Sequence, residues 1–206
     1  MSPALSDAER KELLELGTAT LYEASGLDCD LAATLRPAWP GARLAGTALP
    51  VRTAPADNLP LHLAVAEARP GEVLVVDGRG TACGYWGEVL AVAALARDVA
   101  GLVIDGGVRD TGPLAELGFP VFSTAVAVSR TAKNDAGAVG EPVEVAGRRV
   151  ARGDVVVADA DGVVAFPAVR LDEVREAARA RVAKEAGFLE RIRGGALTLD
   201  LYGFRR

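Results

Sequence analysis

The chain has 206 residues, half of them hydrophobic and a quarter charged, which is enough for one sizeable core and requires no second domain. A formal net charge of -5 and an aromatic content of 5% argue against a nucleic-acid surface, and no apolar run approaches the roughly 20 residues of a membrane span. The first residues, Met1 to Glu9, have neither the basic nor the apolar region of a signal peptide. A cytoplasmic protein is therefore expected, with Cys29 and Cys83 reduced rather than bridged.

In chain order, the pattern predicts a capped helix from Ser6 or Asp7 to Leu16 and a second from Thr18 to Ser25, stopped by Gly26. A proline-rich connection from Arg36 to Pro40 leads to a strand over Ala42 to Thr53, and the stretch Leu59 to Ala68 reads as helical. The apolar runs Gly71 to Asp77 and Gly101 to Asp105 suit strands covered on both faces. With an alanine-, leucine- and valine-rich helix from Trp86 to Ala100 between them, they form a βαβ unit. Beyond it, Pro120 to Thr124 and Pro142 to Val145 read as strands, Val155 to Phe166 as a hairpin turning at Asp159-Ala-Asp-Gly162, and Leu171 to Arg193 as a long charged helix. Strands before and after a helical layer suggest a mixed α/β chain in a β/β/α arrangement. No internal repeat or low-complexity tract is present.

The chemistry concentrates at Gly101-Leu-Val-Ile-Asp-Gly-Gly-Val-Arg-Asp110, where a buried strand runs into glycines and presents Arg109 beside Asp110. In open parallel sheets the carboxyl ends of the strands form the ligand rim, so the loops after Asp77 and Asp105 open on one side. The first of these, Gly78 to Gly87, is glycine-rich and leads into the helix. It reads as a backbone anion site without the spacing of a nucleotide or dinucleotide fingerprint. A small carboxylate gripped by the planar fork of Arg109 fits it, while Asp110 offers hard oxygen to Mg²⁺ or Mn²⁺ and Glu88 faces both from the first helical turn. The bland alternative is that Asp110 caps a short helix through Leu117, with Pro113 in its first turn and Arg109 a surface ion pair. Tyr85 and Trp86 either wall the pocket or pack in the core.

Several segments together resemble the RraA-like proteins: Thr18 to Gly26, Leu44 to Ala48, Asp57-Asn58, Pro70 to Asp77, Val103 to Asp110, Leu117 to Ser123 and Gly153 to Val164. That family includes the divalent-metal 4-hydroxy-4-methyl-2-oxoglutarate/4-carboxy-4-hydroxy-2-oxoadipate aldolases and the regulator of ribonuclease E activity. The aldolase branch carries an acidic residue, a gap of twenty, Arg-Asp, and a further acid after two more residues. Here Glu88 stands where aspartate is usual, Arg109-Asp110 match, and Pro113 occupies the trailing acidic position, with Glu116 the nearest later acid.

The resemblance implies a swivelling β/β/α fold over residues 1–206, with a helix at about 171–193 packing on a neighbouring subunit of a trimer or hexamer. It implies a class II aldolase that cleaves a 4-hydroxy-2-oxo acid to pyruvate, with oxaloacetate decarboxylation as a second activity. The metal would sit on Asp110. Arg109, Asn58 and the segment Gly84, Tyr85, Trp86, Gly87 and Glu88 would hold substrate, and the base would be Glu88 or a neighbouring subunit's equivalent of Glu185. The rival is a non-catalytic protein-binding regulator.

A Schiff-base route needs a desolvated lysine, and Lys11, Lys133 and Lys184 all fall in polar stretches. The single histidine, His62, reads as a satisfied, half-buried helix residue rather than a ligand. Cys83 reads as a small loop residue.

Overall fold

The structure, a computed structural model, describes residues 4–205. Helix α1 (Asp7–Leu16) starts in a capping box: the Ser6 hydroxyl accepts the Glu9 N–H while the Glu9 carboxylate accepts the Ser6 N–H. Helix α2 (Thr18–Ser25) ends at Gly26, whose φ of 62° is the left-handed stop the sequence leads one to expect. Its N-terminus is capped from a distance, because Asp159 in the late hairpin turn accepts both the N–H and the hydroxyl of Thr18, at 2.8 and 2.6 Å. The Asp-Ala-Asp-Gly sequence thus turns a hairpin and also fastens α2.

There follow β1 (Arg36–Pro37), β2 (Leu44–Arg52), α3 (Leu59–Glu67), β3 (Glu72–Trp86), α4 (Glu88–Leu95), β4 (Gly101–Val108), α5 (Thr111–Glu116), β5 (Val121–Val126), β6 (Ala138–Val139), β7 (Val143–Val145), β8 (Arg148–Val150), β9 (Val155–Ala158), β10 (Val163–Phe166), a short 3-10 turn, α6 (Leu171–Arg193) and α7 (Thr198–Leu201). The main sheet runs β1-β5-β4-β3-β2-β9-β10, with β6 paired to β2; β7 and β8 form a separate hairpin. The contiguous parallel strands β2, β3, β4 and β5 form its centre.

Alternation along those strands separates two cores. Leu74, Val76, Leu102 and Ile104 pack with Leu61, Leu90, Ala91 and Leu114 of α3, α4 and α5. Val73, Val75 and Val103 point the other way and meet Val143, Val145 and Val150 of the small hairpin. Helices, central sheet and hairpin make the expected β/β/α order. A third cluster seats α1, α2 and the first half of α6 on β9 and β10 through Leu13, Leu21, Val157, Phe166, Val174 and Ala178.

Three features differ from the sequence reading. The helix expected over Trp86 to Ala100 is confined to Glu88–Leu95. The glycine-rich stretch Gly78 to Gly87 is mostly strand: β3 continues to Trp86 because Cys83, Gly84, Tyr85 and Trp86 are buried. It leaves and rejoins its partner, advancing nine residues from Asp77 to Trp86 while β4 advances three from Asp105 to Val108. The short strands β1, β6 and β8 and the terminal helix α7, none of them foreseen, are the third difference. Among the described residues no helix is long and apolar enough to cross a membrane.

The long helix α6 is fastened to α1 by ion pairs as well as by Val174 and Ala178. Arg175 Nε donates to Glu12 at 2.8 Å, and Arg179 also pairs with Glu12. The Arg179 hydrogen bond, reinforced by Arg175, holds the Glu12 carboxyl at about 2 against a partial burial that opposes it. A depressed carboxyl pKa adds stability that is complete above its ordinary value near 4.5 and lost as pH falls toward 2. Glu12→Gln is therefore expected to lower Tm by about 2–4 °C at pH 7, and the gap from wild type to shrink in melts below pH 4.5. A gap independent of pH would show that packing, not the carboxylate, holds α6.

Candidate active site

The ends of β3 and β4 are tied by a backbone bond from Arg109 N–H to the Trp86 carbonyl at 2.9 Å. This puts the Arg109-Asp110 dipeptide directly over the turn that enters α4. Asp110 has φ 56°, left-handed and so mildly strained for a residue with a Cβ, although aspartate tolerates it better than most. It stands at the N-cap position of α5, but its side chain does not cap that helix. Instead Oδ2 accepts the N–H of Glu88 at the start of α4, at 3.1 Å, with Arg109 Nε 3.6 Å away. The bland reading of Asp110 as a cap is thus half met: it caps, but on the neighbouring helix, where a positive dipole end favours its charge.

Two glycines create the room. A Cβ on Gly87 would lie 2.3 Å from Asp110 Oδ2, and one on Gly84 would lie 3.0 Å from Arg109 Cδ. Gly87 is in extended backbone (φ -164°) that any residue adopts, so its lack of a side chain serves the approach of the carboxylate and not the turn.

Around this pair lies a cavity of about 200 Å³ lined by Asn58, His62, Gly84, Tyr85, Gly87, Val89, Leu90, Arg109, Asp110 and Lys133. Of the residues the sequence pointed to, Asn58, Gly84, Tyr85, Gly87, Arg109 and Asp110 come together here. Tyr85 contributes its wall from the core side; its hydroxyl accepts the Ala56 N–H at 2.7 Å. Trp86 is placed in the core, stacked on Phe119 with centroids 5.6 Å apart, outside the cavity lining. Glu88 gives its backbone N–H to Asp110, while its own side chain is exposed and outside the lining. Glu185 lies on α6, bound to Arg181 at 2.7 Å and away from this chain's cavity. Cys83 is buried in β3, where burial raises its thiol pKa, the opposite of what a nucleophile needs.

Two polar lining residues, His62 and Lys133, escaped the sequence reading as site residues. The first was recoverable, because His62 follows Asn58 by four on a helix and so shares its face. The second was not, because Lys133 reaches the cavity only through a contact spanning the chain. The buried carboxylate of Asp57 accepts N–H groups from Leu59 (3.0 Å), Asn134 (2.7 Å) and Asp135 (3.1 Å), and so pins the segment carrying Lys133 beside the start of α3. Burial pushes the Asp57 carboxyl upward, but these three donors and Lys133 outweigh it and hold it below the ordinary value. Burial, and then the Lys133 charge, push the half-buried His62 imidazole below its usual value.

Among the described residues no group of three or more His, Cys, Asp or Glu converges as a metal site. Among the described residues that line the cavity, Asp110 alone brings a carboxylate. That fits Mg²⁺, which often keeps its waters and takes only one or two protein carboxylates, with substrate oxygens completing the shell. It does not fit zinc, which takes three or four protein ligands.

Residues 3–165 match the RraA-like family described as Aldolase/RraA. The chain belongs to that family. A protein of Halalkalibacterium halodurans provisionally named a 4-hydroxy-4-methyl-2-oxoglutarate aldolase is 29% identical over 174 residues, 84% of this chain and 83% of that one. One with the same provisional name in Burkholderia mallei is 39% identical over 109 residues, 52% of this chain and 66% of its own. Among solved structures, an uncharacterised protein of Pseudomonas syringae pv. tomato superposes with TM-score 0.84 at 28% identity, over 100% of this chain and 97% of that one. RraAS2 of Streptomyces coelicolor, titled an unusual member of the RNase ES inhibitor RraA family, gives 0.77 at 26%, over 93% and 98%. The β/β/α architecture is thus the RraA-like fold.

Gly87→Ala is expected to leave Tm nearly unchanged while displacing the Asp110 carboxylate from the Glu88 N–H, so that the Glu88 amide exchanges with solvent about tenfold faster or more. Unaltered exchange would mean that the carboxylate does not need the space Gly87 leaves.

Proposed function

We propose that this protein is a divalent-metal-dependent (class II) aldolase that cleaves a 4-hydroxy-2-oxo acid to pyruvate and a second oxo compound. The observation that carries the reading is the Arg109-Asp110 pair held over the Gly84–Gly87 turn, in a cavity sized for a small acid. The names of the curated relatives point the same way.

Asp110 would hold Mg²⁺ or Mn²⁺, and the bound ion would supply Lewis-acid stabilisation of the negative charge that develops on the 2-oxo acid as its C–C bond breaks. Arg109 would grip the carboxylate end with its donor fork and stabilise the same developing charge. The turn before α4, from Gly84 to Glu88, would fix the orientation of that end. Loss of carbon dioxide from oxaloacetate yields the same enolate, so decarboxylation is a second expected activity.

Lys133 gives a Schiff-base route a specific candidate, since it lines the cavity; but it is exposed, and an ammonium kept in water is a poor amine nucleophile. A regulator resembling RraA is the other reading, favoured by the likeness to the S. coelicolor protein. The apolar residues left exposed on α4 (Val89, Val92, Leu95) and on the second half of α6 and beyond (Val182, Leu189, Leu197, Phe204) suit the subunit contacts of a trimer or hexamer. Such an assembly is what would bring Glu185 to another chain's site.

With Mg²⁺, pyruvate release from 4-hydroxy-2-oxo acids should be measurable in a coupled assay. EDTA should abolish it, borohydride with substrate should leave it intact, and Asp110→Asn should lower kcat/KM by about 10²-fold or more. Full activity in Asp110→Asn, or a borohydride-trapped adduct on Lys133, would contradict the metal route; no turnover of any such acid, with capture of a ribonuclease, would favour the regulator.

A further inference from the structure

Retro-aldol cleavage needs a group to take the proton of the distal hydroxyl, and the acids that sequence offered for that task do not line this chain's cavity: the Glu88 side chain is exposed and Glu185 is bound to Arg181. The side chains that do line it can be sorted by what they have left to give. Asp110 is engaged by the Glu88 N–H and by Arg109. Arg109 and Lys133 are cations that only donate. The Tyr85 hydroxyl is committed to the Ala56 N–H and to the carbonyls of Ala54 and Gly78. Asn58 donates its amide to the Tyr85 carbonyl at 3.0 Å and has no proton-accepting nitrogen.

That leaves His62. It stands on α3, one turn beyond Asn58 and on a different element from Arg109 and Asp110, half-buried and, among the described residues, without a hydrogen-bond partner. We propose that His62 is a catalytic residue of this site: its free imidazole nitrogen takes the proton of the distal hydroxyl during C–C cleavage and returns it to the departing carbon. This rests on the aldolase reading above and assigns the role that reading left open.

The step balances without an external reactant. The O–H proton moves to the imidazole, and the O–H electron pair becomes the new carbonyl π bond of the released oxo compound. The C3–C4 pair moves onto the 2-oxo acid as an enolate, and the imidazolium then protonates C3 to give pyruvate and neutral His62. The base then stands on α3 and the charge-stabilising groups beyond β4, so the two tasks fall to separate elements.

The local charges support a neutral imidazole. Burial and Lys133 both disfavour its protonation. The charged groups on the elements around it are Lys133 on the segment before β6, Arg109 and Asp110 beyond β4, Asp57 ahead of α3, Glu67 on α3 itself, Glu88 on α4, Arg52 ending β2, and Glu72, Asp77 and Arg79 on β3. An imidazolium beside Lys133 would also be quick to release its proton, which suits its return to the enolate.

The test compares two reactions in one site. Oxaloacetate loses carbon dioxide without a hydroxyl proton to remove, so it needs the metal and Arg109 but not His62. In His62→Gln, kcat for pyruvate release from a 4-hydroxy-2-oxo acid is expected to fall about 10²-fold, with oxaloacetate decarboxylation and calorimetric pyruvate affinity within about threefold of wild type. Added imidazole should restore cleavage in His62→Ala. Undiminished cleavage in His62→Gln, or a parallel fall of both reactions and of pyruvate affinity, overturns the proposal while the aldolase reading stands. Absence of any pyruvate release by the wild type overturns the aldolase reading itself, and the role of His62 with it.

Discussion

The Glu88 N–H to Asp110 carboxylate bond is the contact on which the site depends, and it exists only because three constraints agree. The parallel strands β3 and β4 pair again at Trp86 and Val108 after β3 bulges away, so that Arg109 N–H reaches the Trp86 carbonyl. Asp110 adopts a left-handed backbone that turns its side chain away from its own helix. Gly87 leaves the space the carboxylate fills. The result is a carboxylate anchored at one oxygen by a helix N-terminus, beside a guanidinium, over a cavity.

The rest of the fold serves that placement. The apolar runs of β3 and β4 are buried on both faces, by α3, α4 and α5 on one side and the β7–β8 hairpin on the other, so the strand ends cannot shift without opening two cores. Asp57 adds the second wall, since its three backbone donors hold the Lys133 segment against the start of α3. A site made from strand ends, a helix start and a pinned segment combines rigid support with the exposure a substrate needs.

Much of this was legible in the sequence because it depends on local pattern. Ser6 with Glu9, Gly26 after Ser25, and Asp-Gly between two valine runs each specify a cap or a turn through nearby atoms, and each forms as expected. The βαβ unit and the Arg109-Asp110 tip were legible for the same reason. What was not legible depends on distant contacts. Gly78 to Gly87 carries the composition of a loop, yet the burial of Tyr85 and Trp86 keeps it in the sheet. Trp86 was as consistent with a pocket wall as with the core until its stacking on Phe119 placed it. Lys133 was set aside because its polar surroundings hide that a buried aspartate 76 positions earlier anchors its neighbours. His62 had a local signal in its spacing from Asn58, but a spacing shows a shared face and not what that face meets.

The most direct test is a crystal structure of the protein with Mn²⁺ and pyruvate. The ion should lie on the Asp110 carboxylate, with pyruvate in its shell, the pyruvate carboxylate within hydrogen-bond reach of Arg109 and the turn before α4, and the methyl carbon open toward His62. An ion elsewhere, or pyruvate bound away from Arg109 and Asp110, would contradict it.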